Sequence, residues 1–161
     1  MHRITWVAAV VAACAASASP KSEGFTDADV DHMAAEMLKL KTTPGMADAL
    51  NDLSSELMEC SAITMASAIC LRNTPGQELT AQQTEDISNW TGKLGFILGI
   101  GVGVSERALT ARLKLAADDI KHGVFSSCRN MSILLVRFRE SCETLVSNPV
   151  VRLKAIFLGK R

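Results

Sequence analysis

Apolar residues recur along this chain at intervals of three and four, the spacing of one face of an α-helix. Val30, Met33, Met37 and Leu40 form the first stripe. Thr26-Asp27-Ala28-Asp29 before it has the form of an N-cap with an acidic first turn. Thr42–Gly45 (TTPG) after it reads as a stop. Met46, Leu50, Leu53, Leu57 and Cys60 start a second helix, predicted over 46–72. Beyond Cys60 the run SAITMASAICL is apolar or small on nearly every side, so that end is expected at the centre of the fold. Asn73-Thr74-Pro75-Gly76 closes it.

Thr80-Ala81-Gln82-Gln83 matches a capping box and is expected to open a third helix. Ile87, Trp90, Leu94 and Ile97 carry its apolar side, and Leu109, Leu113, Ala116 and Ile120 continue with helical spacing. His122-Gly123 reads as its end. Cys128, Met131, Leu135, Phe138, Cys142 and Leu145 then repeat as an a/d seam, with Arg129, Arg137, Arg139 and Glu140 off it. Asn148-Pro149 breaks this fourth helix. A basic amphipathic tail, 148–161, follows; such a segment docks on its own bundle or lies on an anionic membrane surface.

Between the two parts of the third helix lies Thr91–Val104, TGKLGFILGIGVGV. It is too short to span a bilayer, which takes about 20 apolar residues. Gly95, Gly99 and Gly103 recur at intervals of four, so in a continuous helix they share a face that lets another backbone approach closely. The same face would suit a homodimer. Against continuity, each glycine costs a helix about 1 kcal/mol relative to alanine, and Ile100, Val102 and Val104 are β-branched. We read the stretch as continuous because both flanks are helical, with a bend as the alternative.

The N-terminus changes the compartment. Met1-His2-Arg3 is basic, Ile4–Ala13 is apolar, and Ala16-Ser17-Ala18 has the A-x-A form of a cleavage site. Residues 1–18 read as a signal peptide. The overlapping alternative is a lipoprotein signal over 1–13, with Cys14 lipidated after Val11-Ala12-Ala13. The 143 residues after Ala18 suit one domain, with the bundle expected over 19–147. There is no Tyr, and Trp90 is the sole Trp outside the leader, a composition that favours helix packing over a β-sandwich. Charge sums to zero but divides unevenly. Residues 1–90 carry 12 acids and 5 bases, and residues 91–161 carry 5 acids and 12 bases. Halves of opposite sign can neutralise each other within one small fold, or the basic half can meet an anionic partner.

Cys60, Cys70, Cys128 and Cys142 remain after the leader, an even number that points to two disulfides in an exported domain. Along a helix, Cys60 and Cys70 lie about 15 Å apart and Cys128 and Cys142 about 21 Å. A disulfide needs Cα atoms within about 7 Å, so the second and fourth helices must be tied to each other. A straight third helix predicts Cys60–Cys128 and Cys70–Cys142, and a bent one Cys60–Cys142 and Cys70–Cys128. Either way the two spans differ by about one turn, which calls for a crossing angle or a frayed end. Cys60-x9-Cys70 resembles one half of the twin Cx9C motif of mitochondrial helical hairpins. Cys128-x13-Cys142 departs from the second half, so nothing of that family's function is carried over.

No C-x-x-C, H-E-x-x-H, G-x-S-x-G or P-loop occurs, and the expectation is a non-enzyme without a cofactor. His32, Met33 and Met37 cluster within about one turn and are the metal candidates, soft ligands suited to Cu(I). Met33 and Met37 fall equally well on the core stripe, where Met fills gaps, so the expectation is no metal. Scattered basic residues and few aromatics argue against nucleic acid. The sequence therefore predicts an all-α, antiparallel up-down four-helix bundle, stapled by disulfides, with a short amphipathic C-terminal segment. Its expected role is binding or scaffolding for a protein partner in the bacterial periplasm, outside the cell, or as an anchored lipoprotein. The alternative is a membrane-active protein that uses 92–104 and the tail, and a more distant one is Met/His-based metal or haem binding.

Overall fold

The computed structural model describes residues 27–37, 42–124, 128 and 130–157. Within them the chain is helical, with no strand among the described residues. Its elements are α1 (Asp27–Met37), α2 (Pro44–Arg72), α3 (Glu78–Gly101), α4 (Glu106–Val124), α5 (Met131–Arg137), a π turn (Phe138–Cys142), α6 (Glu143–Ser147) and α7 (Pro149–Phe157). The leader, Cys14 and the cleavage site lie outside the described residues.

Helix α2 is the hub. It packs against α3, α4, α5, the π turn and α7. Its sequence explains why: Cys60–Thr64 is buried on consecutive positions, and Ala66, Ala68, Cys70 and Leu71 follow, so this half is enclosed from several sides. Small residues there bring neighbouring helices close, as the SAITMASAICL run predicts. Thr42 and Thr43 are non-helical, as the TTPG stop predicts, but Pro44 and Gly45 are not part of that stop. They form the first turn of α2, where Pro44 has the φ a helix needs and lacks only an N–H that would find no partner there. Asn73 and Gly76 close the helix as expected, Gly76 with φ +79°.

Helix α3 starts two residues before the expected capping box. Gln77 is its N-cap, with no side-chain cap bond, and Thr80 lies inside the helix. It returns antiparallel to α2. Ser61 lies against Ser88 and Ser54 against Gly95, so seven residues back on α2 match seven forward on α3.

The expectation of a continuous third helix is overturned. Helix α3 ends at Gly101, and Val102–Ser105 turns the chain into α4. Gly103 sits at φ +86°, a conformation that glycine adopts without a Cβ penalty. The Val104 N–H donates to the Gly99 carbonyl at 2.9 Å, closing the end of α3. Ser105 then accepts from the Ala108 N–H at 3.3 Å and caps α4.

The seam predicted over 128–145 survives in part. Cys142 and Leu145 are buried, whereas Met131, Leu135 and Phe138 are half-buried and Leu134 takes the central place. The π turn at Phe138–Cys142 changes the helical phase midway. Beyond the break at Asn148, Pro149 opens α7, which docks on the bundle. Leu153 joins the cluster of Leu53, Leu57, Trp90 and Leu94, and Arg152 pairs with Glu56 at 2.8 Å. From α1, Val30 reaches the same cluster, and Asp31 pairs with Lys93 at 2.9 Å.

Candidate functional site

The chemistry-bearing residues gather in three places: the cysteine pairs, the serine–glycine seam between α2 and α3, and a groove between α2 and α4.

Cys60 lies beside Cys142 and Cys70 beside Cys128, with Cα–Cα distances of 5.2 and 5.6 Å. Both separations suit a disulfide. This is the pairing that goes with a bent third segment, and it sets the 131–142 segment antiparallel to α2. The expected mismatch of one turn is absorbed at one end. Cys128 lies before α5 rather than in it, with φ +52°. The inner pair packs with Ile63, Ala66, Ile120 and Leu134.

The seam uses glycines as the spacing predicts, but not all three. A Cβ on Gly95 would lie 3.1 Å from the Ser54 carbonyl oxygen and 3.3 Å from Leu57 Cβ. On Gly99 it would run into Leu109 of α4 and Ser54 Oγ. Gly103 is a correction: it leaves the helix and has open space around it, so it serves the turn and packs against nothing. The face expected to suit a homodimer is covered within the chain by α2 and α4.

Serines of both helices line the same seam, where apolar periodicity does not mark them. Ser61 Oγ donates to the Ser88 carbonyl at 2.8 Å, and Ser88 Oγ returns a bond to the Ser61 carbonyl at 2.8 Å. Ser54 Oγ donates to the Gly95 carbonyl at 2.7 Å. Hydroxyls here bond backbone carbonyls of the facing helix, which a glycine-faced approach makes reachable. Every buried side-chain polar atom among the described residues has a partner.

The groove holds about 280 Å³ and is lined by Ser55, Met58 and Glu59 of α2, Arg112, Leu115, Ala116 and Asp119 of α4, and Arg137 of α5. Two of its charges pair with each other, and Arg112 bonds neutral groups of α2. Arg137 bonds Asp119 at 2.5 Å, and Arg112 bonds the Asn51 side-chain oxygen at 2.8 Å and Ser55 Oγ at 3.3 Å. Leu115 stands on its wall, 69% exposed. Arg112 and Asp119 are seven residues apart, two turns of one face, which is the sequence signal for this wall.

Of the three metal candidates, the described residues show the side chain of only His32. His32 is exposed on α1, and the side chains of Met33 and Met37 lie outside the described residues. Among the described residues no group of three or more His, Cys, Asp or Glu could hold a metal ion. His122 Nδ1 lies 2.7 Å from the Asp118 carbonyl oxygen, on the exposed side of α4. No helix among the described residues is long and apolar enough to cross a membrane. Comparison with known proteins gave no matching family model, no matching curated protein and no matching solved structure.

Proposed function

We propose that this chain is an exported, non-enzymatic helical protein that binds or scaffolds a protein partner in the bacterial cell envelope. The single observation that carries the reading is the cysteine arrangement. Four cysteines from distant parts of the chain, 82 and 58 residues apart, stand as two pairs at disulfide distance. Such bonds persist in oxidising compartments and are rare in a reducing cytosol. The N-terminal leader pattern agrees with that compartment. We read α2, α3, α4 and the 131–147 rod as an up-down four-helix bundle, with α1 and α7 packed on it. The two ties fix that rod against α2 and make a rigid platform for a partner.

The membrane-active alternative asks the glycine-rich stretch and the tail to leave their places. Leu94, Leu98 and Leu153 are all in the core, so exposing them to a bilayer breaks the packing described above. Osmotic-shock fractionation of the native cells, with anionic-liposome flotation of the purified protein at low salt, tests both readings. The proposal expects the protein in the released envelope fraction and not on the liposomes. A cytoplasmic protein would refute the export reading, and flotation with the liposomes would favour the alternative.

A further inference from the structure

We propose that the two cysteine pairs form a graded redox lock, in which Cys70–Cys128 opens to a dithiol while Cys60–Cys142 stays closed and holds the fold. The proposal rests on the reading of the four cysteines as disulfide-bonded. What separates the pairs is their place in the fold.

Cys60 and Cys142 are both 0% exposed. One is in the middle of α2 and the other ends the π turn, and Ile63, Ala66 and Leu134 enclose them. A thiolate reaches that bond only after α5 or the π turn has lifted from α2. The outer pair is at an end. Cys70 is two residues from the last residue of α2, and Cys128 precedes α5 and is half-buried. Exchange rates follow access to the attacked sulfur, which favours the outer pair. Cys128 also holds φ +52°, a left-handed backbone uncommon for any residue but glycine, asparagine and aspartate. A conformation of that kind persists only while its surroundings enforce it, so cutting the bond lets this backbone relax.

The reductant is a dithiol. Its first thiolate attacks Sγ of Cys128, the half-buried member of a pair whose other member, Cys70, is 3% exposed; the Sγ–Sγ bond breaks, and Cys70 leaves as a thiolate and takes up a proton. The second thiolate then attacks the reductant sulfur bound to Cys128. The reductant closes into its own disulfide, and Cys128 leaves and takes up the second proton. Two electrons and two protons have passed from the dithiol to the protein. The start of α5 is then untied from α2, while the inner bond still joins α2 to the π turn. Met131–Arg137 becomes the segment free to open, and Leu134, at 1% exposure, is the side chain it uncovers.

The test treats the oxidised full chain with graded dithiothreitol under native conditions, quenches with N-ethylmaleimide, and maps labelled cysteines by mass spectrometry. Cys70 and Cys128 are expected to label about tenfold or more ahead of Cys60 and Cys142, with helical circular dichroism retained. A dithiol protein with its resolving cysteine replaced by serine should be trapped on Cys128 and not on Cys70. All four cysteines labelling in step, or the inner pair leading, would overturn the grading. Four cysteines labelled before any reductant is added would instead overturn the disulfide reading on which it rests.

Discussion

At the scale of single residues, glycine has two unrelated uses in one short stretch. Gly95 and Gly99 are absent side chains: their value is that α2 and Leu109 of α4 come close. Gly103 is a backbone conformation, φ +86°, with open space around it. Spacing alone puts all three on one face, because periodicity reports residue type and not which property of that residue is used. Gly101 is a third case, helical and with nothing within 4 Å of an added Cβ. Alanine substitution separates the cases. Gly101→Ala should stabilise the protein by about 0.5–1 kcal/mol through helix propensity and the unfolded chain. Gly103→Ala should destabilise it by about 1–2 kcal/mol, the cost of a left-handed backbone for a residue with a Cβ. Urea midpoints at constant m-value read both, and equal effects at the two positions would contradict the turn. The Ser61–Ser88 exchange was illegible for a different reason: a serine in a helical pattern gives no sign of which neighbouring carbonyl it will meet.

At the scale of elements, the apolar rhythm placed the helices well and their phase less well. The stripe of α2 is buried at Leu50, Leu53, Leu57 and Cys60 as read, and α7 docks as an amphipathic segment usually does. Helix ends shifted where local signals had two meanings. Pro44-Gly45 was equally good as a stop or a first turn, and the position of Pro44 at N1 decided it. The largest phase error falls on the rod from Met131 to Ser147. A strict 3,4 repeat selects Leu135, whereas the π turn and the packing of this segment on α2 accompany Leu134 at the centre. No run of types in Phe138–Cys142 announces such a turn, and it places Cys142 beside Cys60, Cα to Cα 5.2 Å. Leu134→Ala should therefore cost about 2–5 kcal/mol, the range for a buried leucine. Leu135→Ala, at a half-buried position, should cost clearly less. The reverse order in chemical denaturation would restore the plain heptad seam.

At the scale of the whole molecule, the sequence carried the logic of the cysteines further than it carried the fold. Helical rise excluded bonds within a helix, and the remaining choice depended on the glycine stretch. The chain turns at Val102–Ser105, and the antiparallel pairing follows from it. In the chain-entropy model, bonds at the two cysteine pairs would each restrict the unfolded state by roughly 4 kcal/mol, less where the loops overlap. That is a large share of the stability of a domain this size. The charge asymmetry is partly resolved inside the fold, since Asp31–Lys93 and Glu56–Arg152 join the acidic half to the basic half. Other pairs, Arg72–Glu85 and Asp119–Arg137, stay within one half. These exposed ion pairs add little to stability beside the buried packing around the hub helix α2.

The central claim is that an exported chain is stapled antiparallel through α2. A non-reduced peptide map of the protein from its native cells tests it most directly, because one experiment reads the linkages and the N-terminus together. The account predicts Cys60 linked to Cys142 and Cys70 linked to Cys128, on a chain that begins at Ser19 or at a lipidated Cys14. Cys60 linked to Cys128 would contradict the turn at Val102–Ser105, and four free thiols on a chain that still carries its leader would contradict export itself.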